Sequence, residues 1–244
     1  MFNKKTLILQ IDINQGTQWG DTSTSNFIRE VCIPSVNKYC LKYDYHHLLV
    51  KESIYEKQNG KFDFLATKSK HYSFERYFHL NNKSYDQIIY IDNDVFILDY
   101  AEPLPSIKGL MNAPEPDGNS SKIFREVNDL NSNQLYFNSG VTMCDQTTAN
   151  HLSEYMLDRL SNYKRAKGKN TDNMMLNEYI LDNKENFNIL DNKWNYMPFL
   201  KNSVSINRPN FFHFVGIHGK QLVQLILKNK FEINDFIKNA TFNH

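Results

Sequence analysis

The sequence of 244 residues has no run of about 18 consecutive apolar residues, which a membrane-spanning helix requires. Its N-terminal stretch MFNKKTLILQIDIN has an apolar segment that is too short for the core of a signal peptide. Three cysteines, Cys32, Cys40 and Cys144, form no CxxC pair, which favours buried thiols in a reducing compartment. These absences predict a cytoplasmic protein without a membrane span.

The sequence also lacks an excess of charge of either sign. Its 28 basic and 27 acidic side chains leave a formal net charge of +1, so a broad electrostatic attraction for nucleic acid is excluded. Internal repeats and linkers rich in Pro, Gly or Ser are absent as well, and the length suits one large domain. Any anionic ligand should therefore be small and locally held.

The first part of the chain predicts alternating strands and helices. TLILQIDI is a strand that ends in the polar loop NQGTQWGDTSTS, and DYHHLLVKE is a second strand. Between them, SNFIREVCIPSVNKYCLKY has apolar residues at helical spacing, with a kink or a new start expected at Pro34. The stretch DFLATKSKHYSFERYFHL predicts another helix. This order is typical of an α/β fold.

The second part continues the alternation. QIIYIDNDVFIL is apolar on both faces and predicts one buried central strand, and LYFNSGVTMCD predicts a strand that ends in a polar turn. We expect a loop at MNAPEPDG, helices at TTANHLSEYMLDRLSNY and TDNMMLNEYILDN, and a strand at PNFFHFVGIHGK that leaves into a glycine-containing loop. KQLVQLILKNKFEINDFIKN predicts one or two surface helices, whose apolar face would cover the core or serve a homodimer.

Polar side chains are expected where several of these strands end. They are Asp12, the pair Asp92 and Asp94, Asn138 with Ser139, and His213. Such ends lie along one edge of a doubly wound sheet, so these residues should converge. Asp92 and Asp94 repel each other unless a cation or a proton lies between them. Two carboxylates and one imidazole suit Mn²⁺ or Mg²⁺ and leave positions open for the oxygens of a substrate diphosphate.

Each of these signals has a plainer interpretation. A DxD sequence after an apolar strand is often a solvated acidic turn, and a lone His213 is often a core histidine with satisfied hydrogen bonds. His218 competes with His213 as a metal ligand. A tryptophan such as Trp194 is more often a core residue than a sugar-binding platform.

The stretch YIDNDVFI resembles the DxD motif of GT-A glycosyltransferases, and the order of motifs is similar to the retaining family 8, which includes glycogenin and bacterial galactosyltransferases. Arg76 in SFERYFHL occupies the place of the family's basic residue, and YFNSGVTMCD is similar to its FNAGV strand. TDNMMLN, KWNYMP and HFVGIHGK resemble the DQxxLN, WN and HxxGxxK motifs. The resemblance extends from Thr6 to about Lys220.

This resemblance implies a single GT-A, Rossmann-like domain over residues 1–220, with a mixed, mostly parallel sheet flanked by helices. A small helical tail over residues 221–244 would pack on it. The implied reaction is the metal-dependent transfer of a hexose from a UDP-sugar, with retention of configuration, to a saccharide or protein-linked glycan. The implied cofactor is Mn²⁺ or Mg²⁺.

The resemblance also assigns roles to residues. Asp92, Asp94 and His213 would bind the metal, and Arg76 would orient Asp92 or contact the donor sugar. Asn138 and Asp172 would line the sugar and acceptor side. The residues that would bind the UDP-sugar donor are Asp12, Asn14, Gly16, Asp92, Asn93, Gly216 and Lys220.

The chain departs from the family pattern at Asn93, where Ala or Ser is usual, and no Pro-Trp follows Lys220. PSVNKYCLKYDYHH also resembles a second retaining GT-A group, the yeast-type α-galactosyl and mannosyl transferases. A haloacid-dehalogenase-like phosphohydrolase and an inactive sugar-nucleotide-binding protein are the rival functions. Arg76 has the alternative of a surface ion pair with Glu75, and Asp172 that of a helix cap.

Overall fold

The computed structural model describes residues 4–13, 22–54, 72–116, 119–162, 172–198, 200, 203 and 206–239. The strands are β1 (Thr6–Ile11), β2 (His46–Val50), β3 (Gln87–Ile91), β4 (Val95–Ile97), β5 (Leu110–Pro114), β6 (Phe137–Asp145), β7 (Phe187–Ile189) and β8 (Phe211–His213). The α-helices are α1 (Thr22–Phe27), α2 (Ile33–Tyr43), α3 (Arg76–Leu80), α4 (Asn119–Val127), α5 (Gln146–Asn162), α6 (Asp172–Asp182), α7 (Gly216–Asn229) and α8 (Ile233–Asn239). Within these ranges no helix is both long and apolar enough to cross a bilayer.

The central sheet has six strands in the order β2-β1-β3-β6-β5-β7. The pairs β1/β2, β1/β3 and β5/β7 are parallel, whereas β6 runs antiparallel to both of its neighbours. Buried apolar clusters cover both faces of the sheet, one against α5 and α6 and the other against α2. The predicted fold class, a mixed and mostly parallel sheet flanked by helices, is confirmed.

The predicted central strand over QIIYIDNDVFIL is two strands. β3 ends at Ile91 and β4 begins at Val95, and a turn closed by the bond from Val95 N to Asp92 O (3.2 Å) separates them. β4 leaves the central sheet and pairs antiparallel with β8 in a second, two-stranded sheet. The prediction of one continuous strand was wrong because apolar residues on both sides of the turn conceal the break.

Asn138 and Ser139 lie near the start of β6 rather than at a strand end. Because β6 runs antiparallel to β3, its first residues nevertheless reach the sheet edge where β3 ends. The predicted loop at MNAPEPDG was also placed too early, since β5 continues through Pro114.

The predicted kink near Pro34 takes the form of a widened helical turn. A π-helical segment, Ile28–Cys32, joins α1 to α2 immediately before the proline. Ser35 Oγ donates to the carbonyl oxygen of Cys32 (2.6 Å), and Pro34, which has no backbone N–H, cannot donate to a carbonyl of the preceding turn. The described part of the next predicted helix begins with a 3₁₀ turn, Tyr72–Glu75, and continues as α3.

The C-terminal segment forms two helices, α7 and α8, as predicted. The prediction of a glycine-containing loop after β8 is wrong beyond Val215, because α7 begins at Gly216 and carries both His218 and Lys220. Leu222, Val223 and Ile226 of α7 are buried against β4 and β8. Helix α7 runs across residue 220, and the domain division placed there stays a prediction.

The apolar groups of α7 and the segment after it that do not reach the core are partly exposed. Leu225, Leu227 and Phe231 are 46%, 42% and 46% exposed, respectively. The homodimer expected for this face stays a prediction. The three cysteines are buried, unpaired thiols, in agreement with their interpretation as small core residues.

Asp145 ends β6 and caps α5. Its carboxylate accepts bonds from the backbone N–H of Thr148 (2.9 Å) and Gly109 (2.6 Å). Burial alone raises the pKa of Asp145, but these bonds lower it below its usual value. The carboxylate therefore stabilises the folded protein above the unfolded carboxyl pKa of about 4, and this contribution is lost as the pH falls through the lower folded value.

We predict that Asp145→Ala lowers the free energy of unfolding by about 1 kcal/mol at neutral pH, as for other helix caps. Urea unfolding at pH about 7 and about 3 measures the effect, which should shrink in acid because wild type then loses its charged cap. Asp145→Asn is the matched control, since asparagine caps well without titrating. If the difference in free energy of unfolding between wild type and Asp145→Ala does not change with pH, the role of the carboxylate is contradicted.

Candidate active site

Asp92 and Asp94 lie in the turn that separates β3 from β4. The turn is fixed by main-chain bonds on both sides: Asp92 N donates to Gly140 O (2.7 Å), and Phe214 N donates to Asp94 O (2.9 Å). Asn93, between them, donates from Nδ2 to Ile11 O at the end of β1 (2.5 Å). The acidic turn is therefore tied to three other segments through groups that do not include its carboxylates.

His213 reaches the turn because β8 pairs with β4. Its Cα lies opposite that of Val95, and the imidazole points back toward the carboxylates. Nε2 is 3.2 Å from Asp94 Oδ1 and 3.9 Å from Asp92 Oδ2. One ligand atom from each of the three residues lies within 4.8 Å of the others. The structure thus brings together the three side chains that the sequence predicted as metal ligands.

The electrostatics of the cluster favour a positive charge between the carboxylates. Burial raises the pKa of Asp92, and the neighbouring Asp94 raises it further, although Arg76 and His213 oppose the shift. Burial lowers the pKa of His213, but Asp94 and Asp92 more than reverse this effect, so the net shift is upward. A proton on His213 or a bound cation would relieve the repulsion that the sequence indicated.

The donor set fits a divalent cation. Two carboxylates and one imidazole are a suitable set for Mn²⁺ or Mg²⁺. The side chains of Asp94 and His213 are 9% and 3% exposed, whereas that of Asp92 is 30% exposed, so the cluster opens to solvent on the Asp92 side. A cation held there would have a face available to a ligand.

Arg76 is 1% exposed and lies behind the acidic turn. Its guanidinium donates to Asp172 Oδ2, to Ser139 O (2.8 Å) and to Ser139 Oγ (3.2 Å). The alternative of a surface ion pair with Glu75 is wrong, because Arg76 is buried and its carboxylate partner is Asp172 on α6. The pKa of Arg76 is raised despite burial, since Tyr77, Tyr90 and Asp172 favour the charged form.

Tyr90 connects Arg76 to the acidic turn, and sequence reasoning missed it. The guanidinium carbon of Arg76 lies 4.1 Å from the centre of the Tyr90 ring, and the Tyr90 hydroxyl donates to Asp92 Oδ1 (2.5 Å). The residue was visible as the tyrosine two positions before Asp92, but an aromatic residue inside a buried strand is ordinarily a core residue. Through Tyr90, the buried guanidinium of Arg76 holds one carboxylate oxygen of Asp92 in place.

Asn138 and Glu115 form a polar group on the other side of the cluster. Asn138 Oδ1 accepts from Gly140 N (2.8 Å) and Asn195 Nδ2 (3.0 Å), and its Nδ2 donates to Glu115 Oε2 (2.9 Å). Asn173 also donates to Glu115 Oε2 (3.1 Å). Burial raises the pKa of Glu115, and the bond from Asn138 only partly opposes the shift. The sequence does not predict this role of Glu115, because MNAPEPDG predicts a loop and contains no motif.

The other predicted donor-binding residues are more dispersed. Asp12 lies at the end of β1, where Arg29 Nε is 3.4 Å from its Oδ1, and Asn14 and Gly16 lie outside the described residues. Gly216 begins α7 with a φ of +67°, and Lys220 lies one turn further along the same helix. His218 is exposed on α7 and bonds Gln221 (3.2 Å), apart from the acidic turn. Trp194 is 3% exposed and packs edge-on against Phe211, as a core residue does.

Gly140 is required for the cluster to close. A Cβ at this position would lie 2.3 Å from His213 Cε1, 2.8 Å from Asn138 Oδ1 and 2.9 Å from Asp92 Oδ2. Real Cβ atoms essentially never approach other atoms so closely, and all three side chains are held by hydrogen bonds. Any side chain at residue 140 therefore moves the imidazole or the carboxylate.

We predict that Gly140→Ala weakens Mn²⁺ binding by about 10- to 100-fold, the range found when groups around metal ligands are disturbed. It should also lower the free energy of unfolding by about 1–3 kcal/mol through overpacking. Val141→Ala is the matched control: it removes buried core methyl groups at the next position of β6, so it should lower stability but preserve Mn²⁺ affinity. Equal Mn²⁺ affinities in the two variants would show that the predicted crowding does not occur.

The mixed sheet flanked by helices matches the fold of GT-A glycosyltransferases, and the acidic pair with an imidazole beside it lies at the end of its central strand β3. The model of glycosyl transferase family 8 matches residues 21–220, and the chain belongs to that family. The predicted family and enzyme class are thereby confirmed. Comparison with curated protein sequences gives no match.

Several solved glycosyltransferases share the fold at low sequence identity. The galactosyltransferase LgtC, in complex with donor and acceptor sugar analogues, is 14% identical, with a TM-score of 0.53 over 91% of this chain and 95% of that one. A glycosyltransferase involved in glycosylation of the major capsid of PBCV-1 is 13% identical, with a TM-score of 0.50 over 91% and 99%. GlyE of Streptococcus pneumoniae TIGR4 is 14% identical, with a TM-score of 0.51 over 96% of this chain and 62% of that one.

Proposed function

We propose that this protein is a metal-dependent glycosyltransferase that moves a hexose from a UDP-sugar to a saccharide or a protein-linked glycan, with retention of configuration. The observation that carries the proposal is the grouping of Asp92, Asp94 and His213 within 4.8 Å at the edge of the sheet. Membership of family 8 supports the transfer reaction. The donor, the acceptor and the retention are inferred from the family resemblance.

Asp92, Asp94 and His213 would hold Mn²⁺ or Mg²⁺. When bound, such a cation neutralises charge that develops on a leaving diphosphate. The residues around the cluster keep it in shape: Tyr90 holds one oxygen of Asp92, and the main-chain bond from Phe214 N holds Asp94 O. The exposed side of Asp92 is where the diphosphate of a donor would approach.

The remaining assignments follow the position of each residue around the cluster. Asp12, with Asn14 and Gly16, would bind the base and ribose from the end of β1, and Asn93 would keep this strand end next to the DxD turn. Gly216 and Lys220 would face the diphosphate from the start of α7. The sugar and acceptor side would be lined by Asn138, Arg76 and Asp172. Asn138 is held by its bond to Glu115, and Arg76 and Asp172 are both hydrogen-bonded to Ser139. Their contribution is positioning and charge stabilisation.

We place this activity in the cytoplasm, which is a reducing compartment and contains sugar nucleotides. The support is that Cys32, Cys40 and Cys144 are all unpaired and buried. No nucleic-acid partner is proposed, because the net charge of +1 provides no broad attraction for a polyanion.

A panel of sugar nucleotides with and without Mn²⁺ tests the proposal. A transferase should show metal-dependent thermal stabilisation by one donor and slow release of free UDP from it. Release of phosphate from simple phosphomonoesters would instead indicate the phosphohydrolase. Donor-dependent stabilisation without any UDP release, also in the presence of an acceptor panel, would indicate an inactive sugar-nucleotide-binding protein. No stabilisation by any donor with Mn²⁺ or Mg²⁺ would overturn the proposal.

A further inference from the structure

A chain of hydrogen bonds runs from the backbone of β6 to the ring of His213. Gly140 N donates to Asn138 Oδ1 (2.8 Å), Asn195 Nδ2 donates to the same oxygen (3.0 Å), and Asn195 Oδ1 is 2.9 Å from His213 Nδ1. Asn138, Asn195 and His213 are 4%, 1% and 2% exposed. The chain therefore lies in the interior, where each polar group depends on its protein partners.

The backbone fixes the direction of every bond in this chain. A peptide N–H can only donate, so Gly140 must face the oxygen of the Asn138 amide rather than its NH₂ group. The same oxygen then requires a donor from Asn195, which turns the Nδ2 of Asn195 toward it and leaves Oδ1 facing His213. An amide oxygen can only accept, so His213 Nδ1 must carry a proton.

The opposite end of Asn138 fits this assignment. Its Nδ2 donates to the carboxylate of Glu115 (2.9 Å), which also accepts from Asn173 Nδ2 (3.1 Å). A flipped Asn138 amide would place its oxygen against the Glu115 carboxylate and its NH₂ group against Gly140 N–H. Both ends of Asn138 therefore select the same orientation.

We propose that Asn195 is a positioning residue for His213: it accepts the Nδ1 proton and so directs Nε2 toward Asp94 and Asp92. Nε2 is the nitrogen that lies 3.2 Å from Asp94 Oδ1. A neutral imidazole that donates from Nδ1 has its lone pair on Nε2, which is the form that binds a metal. The expected effect on metal affinity rests on the proposed function, whereas the direction of the Nδ1 bond does not.

Asn195 is suited to this test because its backbone is held independently of its side chain. Asn195 N donates to Asn192 O (3.1 Å), and the next residue, Tyr196, exchanges main-chain bonds with β8: Tyr196 N to Phe211 O (3.0 Å) and His213 N to Tyr196 O (2.9 Å). Substitution of the side chain should therefore leave β8 in place.

Two variants separate the acceptor from the rest of the side chain. Asn195→Leu has a similar shape and no acceptor, and we expect Mn²⁺ binding to weaken by about 10- to 100-fold, as for other groups that hold a histidine ligand. Asn195→Asp also loses the donor to Asn138 Oδ1 but keeps an acceptor for Nδ1, so its Mn²⁺ affinity should fall less than that of Asn195→Leu. Mn²⁺ affinity is measured by electron paramagnetic resonance of the free ion.

Nitrogen-15 NMR of the histidine rings in the metal-free protein supplies a readout that is independent of metal and of activity. His213 should show a proton on Nδ1 that exchanges slowly with solvent in wild type and Asn195→Asp and rapidly in Asn195→Leu. Wild-type Mn²⁺ affinity in Asn195→Leu, or equal losses in both variants, would overturn the proposal. If Asn195→Leu does not fold, the wild-type spectrum alone decides. A proton on His213 Nδ1 supports the proposal, and its absence overturns the proposal.

The two proposals fail in different ways. If wild type binds neither Mn²⁺ nor a donor, the proposed function fails while the ring spectrum still reports the bond from Nδ1 to Asn195. If wild type binds Mn²⁺ and Asn195→Leu binds it equally well, the role of Asn195 fails while the metal site stands.

Discussion

Asp94→Ala is expected to abolish metal-dependent binding of UDP while the protein stays folded. Asp94 is 6% exposed, and its Oδ1 lies 3.2 Å from His213 Nε2, closer than the 3.9 Å of Asp92 Oδ2. Loss of a proposed ligand should weaken Mn²⁺ binding by more than about 100-fold, beyond the range for surrounding groups. The fold should survive because the bond that Asp94 makes to Phe214 uses the main chain, and because removal of one carboxylate relieves repulsion with Asp92.

Calorimetric titration of UDP with and without Mn²⁺ measures this effect. Asp99→Ala is a matched control, since Asp99 pairs with Lys38 on the surface and is 51% exposed, and its loss should change neither metal nor UDP binding. Unchanged Mn²⁺-dependent UDP affinity in Asp94→Ala would remove the metal hypothesis. His213→Ala should weaken Mn²⁺ binding as well, whereas His218→Ala should not.

Arg76→Met is expected to lower the free energy of unfolding by about 3–5 kcal/mol, as when one partner of a buried ion pair is removed. Methionine keeps much of the apolar length of arginine but leaves Asp172 Oδ2 without its cation and Ser139 O without its donor. It also removes the charge over the Tyr90 ring. Arg76→Lys keeps the positive charge but not the several N–H donors of the guanidinium. It should therefore lower the free energy of unfolding by an intermediate amount.

Denaturant unfolding measures the loss, and Arg159→Met is the control. Arg159 also pairs with a carboxylate, Glu178, but its side chain is 41% exposed, so its removal should cost no more than about 1 kcal/mol. In the double variant Arg76→Met, Asp172→Asn, part of the stability should return because the unpaired charge is gone. Equal losses in Arg76→Met and Arg159→Met would contradict the role of burial.

The sequence was sufficient to predict the fold class and the three residues of the acidic cluster. Runs such as TLILQI and QIIYI identify buried strands, and the cost of placing Asp92 beside Asp94 indicates a cation. The order of motifs then identified the family, which the match over residues 21–220 shows. These features are local in the chain or depend only on order, so they can be read without knowledge of contacts.

The parts that could not be predicted depend on strand direction and on distant partners. The residues of β6 do not reveal that it runs antiparallel, so Asn138 was expected at a strand end rather than near a strand start. The neighbour Glu75 was the obvious partner for Arg76, yet the actual partner, Asp172, lies 96 residues further along the chain. Gly140 and Asn195 lie in stretches that resemble the family's FNAGV and WN motifs, but their contacts with His213 could not be predicted, because they depend on packing between distant segments.

The small sheet of β4 and β8 has a consequence for how the protein matures. During synthesis both carboxylates leave the ribosome long before His213, which joins them only when β8 docks beside β4. Such non-local pairing forms slowly, since a long loop must close first. Cation binding would then favour the fully assembled chain by mass action, so resistance to proteolysis should rise with Mn²⁺ in newly made protein.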